Sequence, residues 1–383
     1  MRRTIFDSDH DDFRNSVREF VKRDITPFVA DHISAGQISR SVWKSAGDQG
    51  FLGLCVPEKF GGSGLDDFRF NAILDEELTK AGLAYACALG VHTHVIAPYL
   101  TSLTNDEQRQ RWLPRFCQGE LVTAIAMTEP SGGSDLASLR TRAVRDGDDW
   151  LISGSKTFIT NGASADLIIV AAQTEPGSRS KGISLFAVDG DAPGLDRGSR
   201  LSKVGQRQGD TAELFFDQVR VNSANVIGEI GKGFPSMMKH LAQERLASAV
   251  CNIAHASKVL RDSITYVNSR EAFGSTIGAL QHTRFLLADL ATEVNVAQTF
   301  VDACIAAHVT HELTPEEAAM AKLKTSEVQS TVVDAGVQMF GGMGYMRESA
   351  IAQDWMDARV TRIWAGTNEI MREVIGRSLT LEG

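Results

Sequence analysis

The sequence lacks the features that would tie a chain to nucleic acid, to a membrane or to an oxidising compartment. Its formal net charge is −9 over 383 residues, whereas a nucleic-acid partner requires a basic face that neutralises phosphates. Its five cysteines are dispersed and include no Cys-x-x-Cys pair, which predicts reduced thiols. No apolar run approaches the roughly 20 residues of a membrane span, and residues 1–8 show no signal-peptide pattern. We therefore predict a soluble, cytoplasmic protein with no membrane span and no nucleic-acid partner.

A dinucleotide-binding fingerprint is also missing. Between residues 121 and 230, short apolar runs follow one another without intervening helical patterns, and no Gly-x-Gly-x-x-Gly follows the first run. A Rossmann unit needs strands that alternate with helices, and it needs that glycine-rich turn after its first strand. The commonest nicotinamide-binding design is therefore excluded.

The patterns that are present divide the chain into three regions. Residues 1–120 and 231–383 show apolar side chains at helical spacing, whereas residues 121–230 show short apolar runs between glycine, proline and aspartate clusters. Closely spaced strands without helices between them predict an antiparallel β-domain. We therefore predict an α+β protein with an N-terminal helical domain, a middle antiparallel β-domain and a C-terminal helical domain at these bounds.

Local signals add detail to this division. Residues 146–149 (Asp-Gly-Asp-Asp) supply the positive φ of a hairpin turn, and residues 167–172 and 183–188 read as buried strands. Residues 314–317 (Thr-Pro-Glu-Glu) combine an N-cap, a proline at the first helical position and a glutamate at the third. Residues 104–107 (Thr-Asn-Asp-Glu) show a similar capping pattern, so both segments predict helix starts.

His92 and His94 are the residues that most invite a metal-site interpretation. Residues at positions i and i+2 do not share a helical face, so the two side chains would point apart. No cluster of carboxylates or cysteines accompanies them in the sequence. We therefore predict no metal site.

One predicted helical face in the last region carries a single carboxylate. A helical glutamate is most often exposed to solvent, and here it could lie on a solvated face near His240. The alternative is a carboxylate base in apolar surroundings, which would raise its pKa. Position alone leaves both interpretations open. The face consists of Met237, Leu241, Glu244, Ser248 and Cys251, at positions i−7, i−3, i, i+4 and i+7.

Several short motifs occur in a fixed order over nearly the whole chain. They lie at residues 126–135 (Ala-Met-Thr-Glu-Pro-Ser-Gly-Gly-Ser-Asp), 154–162, 213–221 followed by 231–234, 270–274 with Gln281, 338–342 and 365–369. Glycine-rich turns such as the first let backbone amides approach a ligand that any Cβ would hold away. In this order and at this length, the set resembles the acyl-CoA dehydrogenase family.

The resemblance implies a fold and an activity. The fold has an N-terminal α-helical domain, a middle antiparallel β-domain and a C-terminal domain like a four-helix bundle. The activity is the FAD-dependent conversion of an acyl-CoA thioester to the trans-2-enoyl-CoA, with an electron-transferring flavoprotein as electron acceptor. The family further implies a homo-oligomer, typically a tetramer built as a dimer of dimers.

The resemblance also assigns residues to the site. Thr128 and Thr160 would bond to the isoalloxazine ring, and Ser134 would contact both cofactor and thioester. Arg270 suits a pyrophosphate because it is permanently charged and forked, and in the family it reaches the flavin of a neighbouring subunit. The cofactor set comprises Ile125, Met127, Thr128, Gly133, Ser134, Phe158, Thr160, Arg270, Phe273, Gln281, Gln338, Gly341, Gly342, Thr367 and Glu369. The substrate set comprises Ser134, Leu241, Arg245 and Gly366.

The catalytic base does not occupy its most common position. Many family members carry a glutamate directly before the Gly-Thr of the last motif, where this chain has Ala365. The long-chain and isovaleryl branches instead place the base on an earlier helix in a Glu-Arg-Leu context, which residues 244–246 match. We therefore predict Glu244 as the base. The alternatives are a flavin oxidase or nitroalkane-type oxidase on the same fold, and a non-catalytic acyl-CoA-binding relative.

Overall fold

The computed structural model describes residues 2–379, and its first part is helical. An aspartate that precedes the first helix caps it: the Asp7 carboxylate accepts from the amides of Asp9 and His10, so the helix begins at Ser8. The helices of this part are α1 Ser8–Phe20, α2 Val29–Ala35, α3 Arg40–Asp48, α4 Phe68–Ala81, α5 Leu83–Gly90, α6 Ala97–Ser102 and α7 Asp106–Cys117.

The middle part is a sheet. Its strands are β1 Thr123–Ala126, β2 Arg142–Asp146, β3 Asp149–Thr160, β4 Leu167–Gln173, β5 Ile183–Asp189, β6 Leu195–Arg200, β7 Thr211–Asn222 and β8 Val226–Ile227. Seven of them follow the order β6-β7-β3-β2-β4-β5-β8. The predicted hairpin is confirmed, since β2 and β3 pair antiparallel with Asp146 opposite Asp149.

The sheet differs from the prediction in being mixed. Strand β1 pairs with β4 in parallel, with Thr123 opposite Leu167, and β2 meets β4 in parallel at Arg142 and Gln173. Strand β1 has four residues and is largely buried, so it shows no alternating pattern that would reveal it in the sequence. The remaining pairs in the sheet are antiparallel, as predicted.

The last part is a bundle of long helices. They are α8 Gly233–Ser269, α9 Gln281–Val309, α10 Pro315–Phe340, α11 Ala350–Ala358 and α12 Asn368–Ser378, and a short hairpin of β9 Glu271–Ala272 and β10 Ser275–Thr276 precedes α9. The predicted start of α10 is confirmed, because Thr314 and Glu317 form a reciprocal capping box. Helix α8 packs against α10, α9 and α4, so it runs through the middle of the helical core.

One helical stretch within the described residues, Leu83–Ser102, is long and apolar enough to cross a membrane. The sequence prediction that no run approaches this length was therefore wrong on length and composition. Of its most apolar window, 78% is buried inside the protein, as in the core helix of a globular domain. We refer to this stretch as the 83–102 helix.

His92 and His94 lie on this helix and are both buried. His92 bonds through Nε2 to the Phe116 carbonyl oxygen at 3.1 Å and through Nδ1 to the Thr123 hydroxyl at 2.9 Å. Burial lowers the pKa of His92 to about 3, so it is a neutral core side chain. Among residues 2–379, no group of three or more His, Cys, Asp and Glu side chains could hold a metal ion.

Candidate active site

A cavity of about 290 Å³ lies where the helices meet the sheet. Helix α4, the 83–102 helix and α8 line it, together with the ends of β1 and β3 and the turn before α12. Two larger depressions, of about 620 and 740 Å³, lie against the N-terminal segment and on α9. Neither contains a predicted site residue, so we identify the smaller cavity as the candidate active site.

The structure brings many of the predicted site residues together in this cavity. They lie in three separate parts of the sequence, which shows that distant motifs share one space. From the sheet come Ile125, Met127, Thr128, Gly133, Phe158 and Thr160, from α8 come Leu241 and Glu244, and from the turn before α12 comes Gly366. Ala365 lines the same cavity.

Other predicted residues lie beside the cavity without lining it. Ser134 is exposed next to Gly133, and Arg245 is buried on another face of α8. Thr367 is the N-cap of α12, where its hydroxyl accepts from the Ile370 amide at 3.2 Å. Glu369 follows in the first turn of α12 and is exposed.

A third group lies at one end of the helical bundle. The end of α8 meets the end of α10 there, because the Tyr266 ring stacks on Phe340 with their centroids 3.9 Å apart. Within a single chain these residues do not line the cavity, although the family resemblance implies that they contact the cofactor. They are all exposed, and they comprise Arg270, Phe273, Gln281, Gln338, Gly341 and Gly342.

Glu244 sits in surroundings that favour its neutral form. Its Oε1 atom is buried and has no hydrogen-bond partner among the described residues. Burial raises the pKa of Glu244 to about 7, and the positive charge of Arg245 offsets only part of that rise. The residue therefore has the environment of a base rather than of a solvated surface glutamate.

The turn before α12, which lines the same cavity as Glu244, is held by a buried lysine. Lys322 on α10 donates from Nζ to the Gly366 carbonyl oxygen at 2.7 Å and to Asn368 Oδ1 at 3.0 Å. Burial, followed by the charge of Arg245, lowers the pKa of Lys322 to about 8. Sequence reasoning missed this lysine, although its helical spacing from Ala318 and Thr325 places it on the buried face of α10.

A second buried lysine supports the loop that carries several predicted cofactor residues. Lys156 donates from Nζ to the Met127 carbonyl oxygen at 3.0 Å and to Glu129 Oε1 at 2.9 Å. The Glu129 carboxylate also accepts from the backbone amides of Arg140 at 2.6 Å and Thr141 at 2.8 Å. Burial favours the neutral acid, but Lys156 and these amides outweigh it and lower the pKa of Glu129. Glu129 therefore organises the loop and is no candidate base.

The cavity fits a flat heteroaromatic cofactor such as the flavin of FAD. Its walls are largely apolar, and its few polar groups include Thr128 and Thr160, as is usual for sites that orient such a ring. Trp364 also lines the cavity, and its indole Nε1 is buried without a hydrogen-bond partner among the described residues. These residues, together with Phe158, would hold the ring.

Comparison with known proteins agrees with this geometry. Three family models match: acyl-CoA dehydrogenase, N-terminal domain, over residues 7–120; middle domain, over residues 124–219; and C-terminal domain, over residues 231–380. The long-chain specific acyl-CoA dehydrogenase of Rattus norvegicus mitochondria is 42% identical and covers 98% of this chain and 88% of its own. The mitochondrial isovaleryl-CoA dehydrogenase of Pongo abelii is 33% identical, over 96% of this chain and 88% of its own.

Solved structures give the same answer. An acyl-CoA dehydrogenase from Geobacillus kaustophilus superposes with a TM-score of 0.97 at 42% identity, over 99% of this chain and all of that one. A glutaryl-CoA dehydrogenase from Mycobacterium smegmatis, solved with FADH2, has a TM-score of 0.92 at 26% identity, over 98% and 95% of the two chains. The chain therefore belongs to the acyl-CoA dehydrogenase family of FAD-dependent oxidoreductases.

Proposed function

We propose that this chain dehydrogenates acyl-CoA thioesters with Glu244 as the base that removes the α-proton. The observation that carries the assignment is the unpaired, buried Glu244 Oε1 in the cavity that also holds Thr128 and Thr160. Ala365 lines that cavity too, so the position that bears the base in many relatives offers only a methyl group. Glu244 fills the chemical role that Ala365 leaves open.

The residues around Glu244 serve its chemistry. When bound, FAD supplies the acceptor for the hydride that leaves Cβ. Glu244 takes the proton from Cα, and the raised pKa makes it a base matched to neutral pH. The Gly366 amide would donate to the thioester carbonyl and stabilise the negative charge that develops there, while Lys322 holds the turn in place through the Gly366 carbonyl.

We further propose an acyl chain of medium to long length as the substrate. The cavity continues from Glu244 along α8 past Ala247 and Ser248 to Cys251. Seven residues of helix correspond to a depth of about 10 Å, which a short branched acyl group would not fill. The long-chain specific relative from Rattus norvegicus is also more similar to this chain, at 42% identity, than the isovaleryl relative from Pongo abelii at 33%.

A second copy of the chain would complete the cofactor site. The exposed group at the bundle end contains a forked cation, Arg270, and an almost fully exposed aromatic side chain, Phe273, at 96%. Aromatic side chains and arginine are enriched at protein interfaces relative to the rest of the surface. We propose a homo-oligomer, a tetramer built as a dimer of dimers, in which this group reaches the flavin of a neighbouring copy.

We propose as well that an electron-transferring flavoprotein accepts the electrons and that the protein is cytoplasmic.

Anaerobic mixing with a panel of acyl-CoAs tests the proposed function. We expect the flavin absorbance of the holoenzyme to bleach fastest with straight chains that fill the cavity, and slowly with isovaleryl-CoA. If no acyl-CoA bleaches the flavin, the chain is a binding relative. If the bleached enzyme is rapidly reoxidised by dioxygen with product bound, it is an oxidase.

The pH dependence of the same reaction follows from the pKa of Glu244. Only the carboxylate can accept the α-proton, so kcat/KM is expected to rise with pH and to level off above about 7. The measurement is the rate of flavin bleaching at limiting substrate over a series of buffers. A profile that stays flat through this pH range would mean that a different group is the base.

A further inference from the structure

The cavity has a second polar region, away from Glu244. Asp75 on α4 and His94 on the 83–102 helix both line it, and both are almost completely buried. His94 Nε2 lies 2.7 Å from Asp75 Oδ1, and Asn71 Nδ2 lies 2.9 Å from His94 Nδ1. A cavity for a simple hydrocarbon chain has no need of such a group, because alkyl carbons cannot form hydrogen bonds with it.

This network leaves one carboxylate oxygen without a strong donor. The Asn71 amide can only donate from its nitrogen, so His94 Nδ1 accepts and His94 Nε2 donates to Asp75. Asp75 Oδ2 is buried and accepts from no N–H or O–H group among the described residues. The thiol of Cys251 on α8 bonds to the Asp75 carboxyl, but a thiol is only a weak donor.

A second unpaired atom belongs to α8. The hydroxyl of Ser248 is buried without a hydrogen-bond partner among residues 2–379, and Ser248 lines the cavity one helical turn beyond Glu244. Cys251, next to Asp75, lies two turns beyond Glu244, or about 10 Å along the helix. The polar region therefore lies toward the far end of an acyl chain whose α-carbon contacts Glu244.

We propose that Asp75 and Ser248 form a subsite for a hydroxyl group carried on the distal part of the acyl chain. The enzyme would then be selective for hydroxyacyl-CoA thioesters over unsubstituted chains of the same length. This inference rests on the proposed function, because it takes the thioester end to lie at Glu244.

A hydroxyl suits the subsite better than other polar groups. It can donate a hydrogen bond to Asp75 Oδ2 and accept one from the Ser248 hydroxyl. A terminal carboxylate would meet the acidic side chain of Asp75 in a region where His94 has both ring nitrogens engaged. An ammonium group would lose its hydration in an otherwise apolar cavity.

The test compares pairs of substrates on the same holoenzyme. We expect kcat/KM for flavin bleaching to be about tenfold or more higher for an ω- or (ω−1)-hydroxyacyl-CoA than for the unsubstituted chain of equal length. The series runs from hexanoyl to dodecanoyl, and the preference should peak at one length. A methyl-branched chain of the same size as the hydroxylated one controls for volume.

Variants of Asp75 and Ser248 test whether the preference for hydroxylated substrates comes from this subsite. Asp75→Leu is expected to bring the ratio of hydroxylated to unsubstituted substrate close to one, whereas Asp75→Asn, which still donates and accepts, should keep most of it. Ser248→Ala should reduce the ratio by less. If Asp75→Leu does not fold, the wild-type ratio and the other two variants still decide the matter.

Failure of the hydroxyl subsite and failure of the proposed dehydrogenase function give different results. Unsubstituted chains that bleach the flavin as well as hydroxylated ones at every length would overturn the subsite while leaving the dehydrogenase function intact. A preference that survives in both Asp75→Asn and Asp75→Leu would also overturn it, because the hydroxyl would then bind elsewhere. If no acyl-CoA bleaches the flavin, the proposed function itself fails.

Discussion

Glu244→Gln is expected to lower the rate of flavin reduction by acyl-CoA about 10³-fold or more, because the amide cannot accept the α-proton. Glutamine has the same shape, so substrate binding should change little and the loss should fall on kcat. The measurement is stopped-flow bleaching of the flavin under anaerobic conditions. Bleaching at the wild-type rate would move the base to another residue.

The stability of the Glu244→Gln variant shows whether a loss of activity comes from misfolding. The pKa of Glu244 is raised above its unfolded value, so the folded protein binds the extra proton and wild-type stability falls as pH rises from about 4.5 to about 7. Glutamine has no proton to lose, so the variant should be more stable than wild type above pH 7, by up to about 3 kcal/mol. An inactive variant that is also less stable at high pH would indicate misfolding rather than loss of a base.

Glu129→Gln is expected to destabilise the protein by about 3–5 kcal/mol, because it leaves the Lys156 ammonium buried without a counter-charge. The side chain of Lys156 is completely buried, so water cannot replace the lost partner. The loop that carries Thr128 and Gly133 should loosen at the same time, and bound flavin should fall. Urea unfolding and the ratio of flavin to protein absorbance measure the two effects.

The matched control removes both members of the pair. The double variant Glu129→Gln, Lys156→Met contains no unpaired buried charge, so it should recover much of the lost stability. Recovery of stability without recovery of flavin binding would show that the Lys156 bond to the Met127 carbonyl also shapes the loop. A single variant as stable as wild type would mean that the pair contributes little.

Features that depend on neighbouring residues could be predicted from the sequence. The start of α10 at Thr314 was predicted because both halves of a capping box lie within four residues. The same reasoning was wrong by one residue at α7, where Asn105 is the cap and pairs with Gln108. Thr104 instead donates its hydroxyl to the Leu100 carbonyl, an alternative that local pattern does not reveal.

In the candidate site, too, features set by local pattern were predictable and features set by tertiary packing were not. Helical periodicity placed Glu244 on one face with Leu241 and Ser248, and the structure puts all three on the cavity wall. The pair of Lys322 and Gly366, 44 residues apart, was not predictable, because nothing local joins its members. Pairings of this kind depend on tertiary packing, which a single sequence does not encode in any local pattern.

The long helix that bears Glu244 has a further consequence for motion. Helix α8 spans 37 residues and packs against α4, α5, α9, α10 and α11, so its amides should exchange with solvent only when the whole domain unfolds. The turn at Ala365 and Gly366 is joined to that core by the hydrogen bonds of Lys322 to Gly366 and to Asn368 at the start of α12. Transient opening of the cavity can therefore proceed by local fraying of the last helix, while the proton acceptor keeps its position.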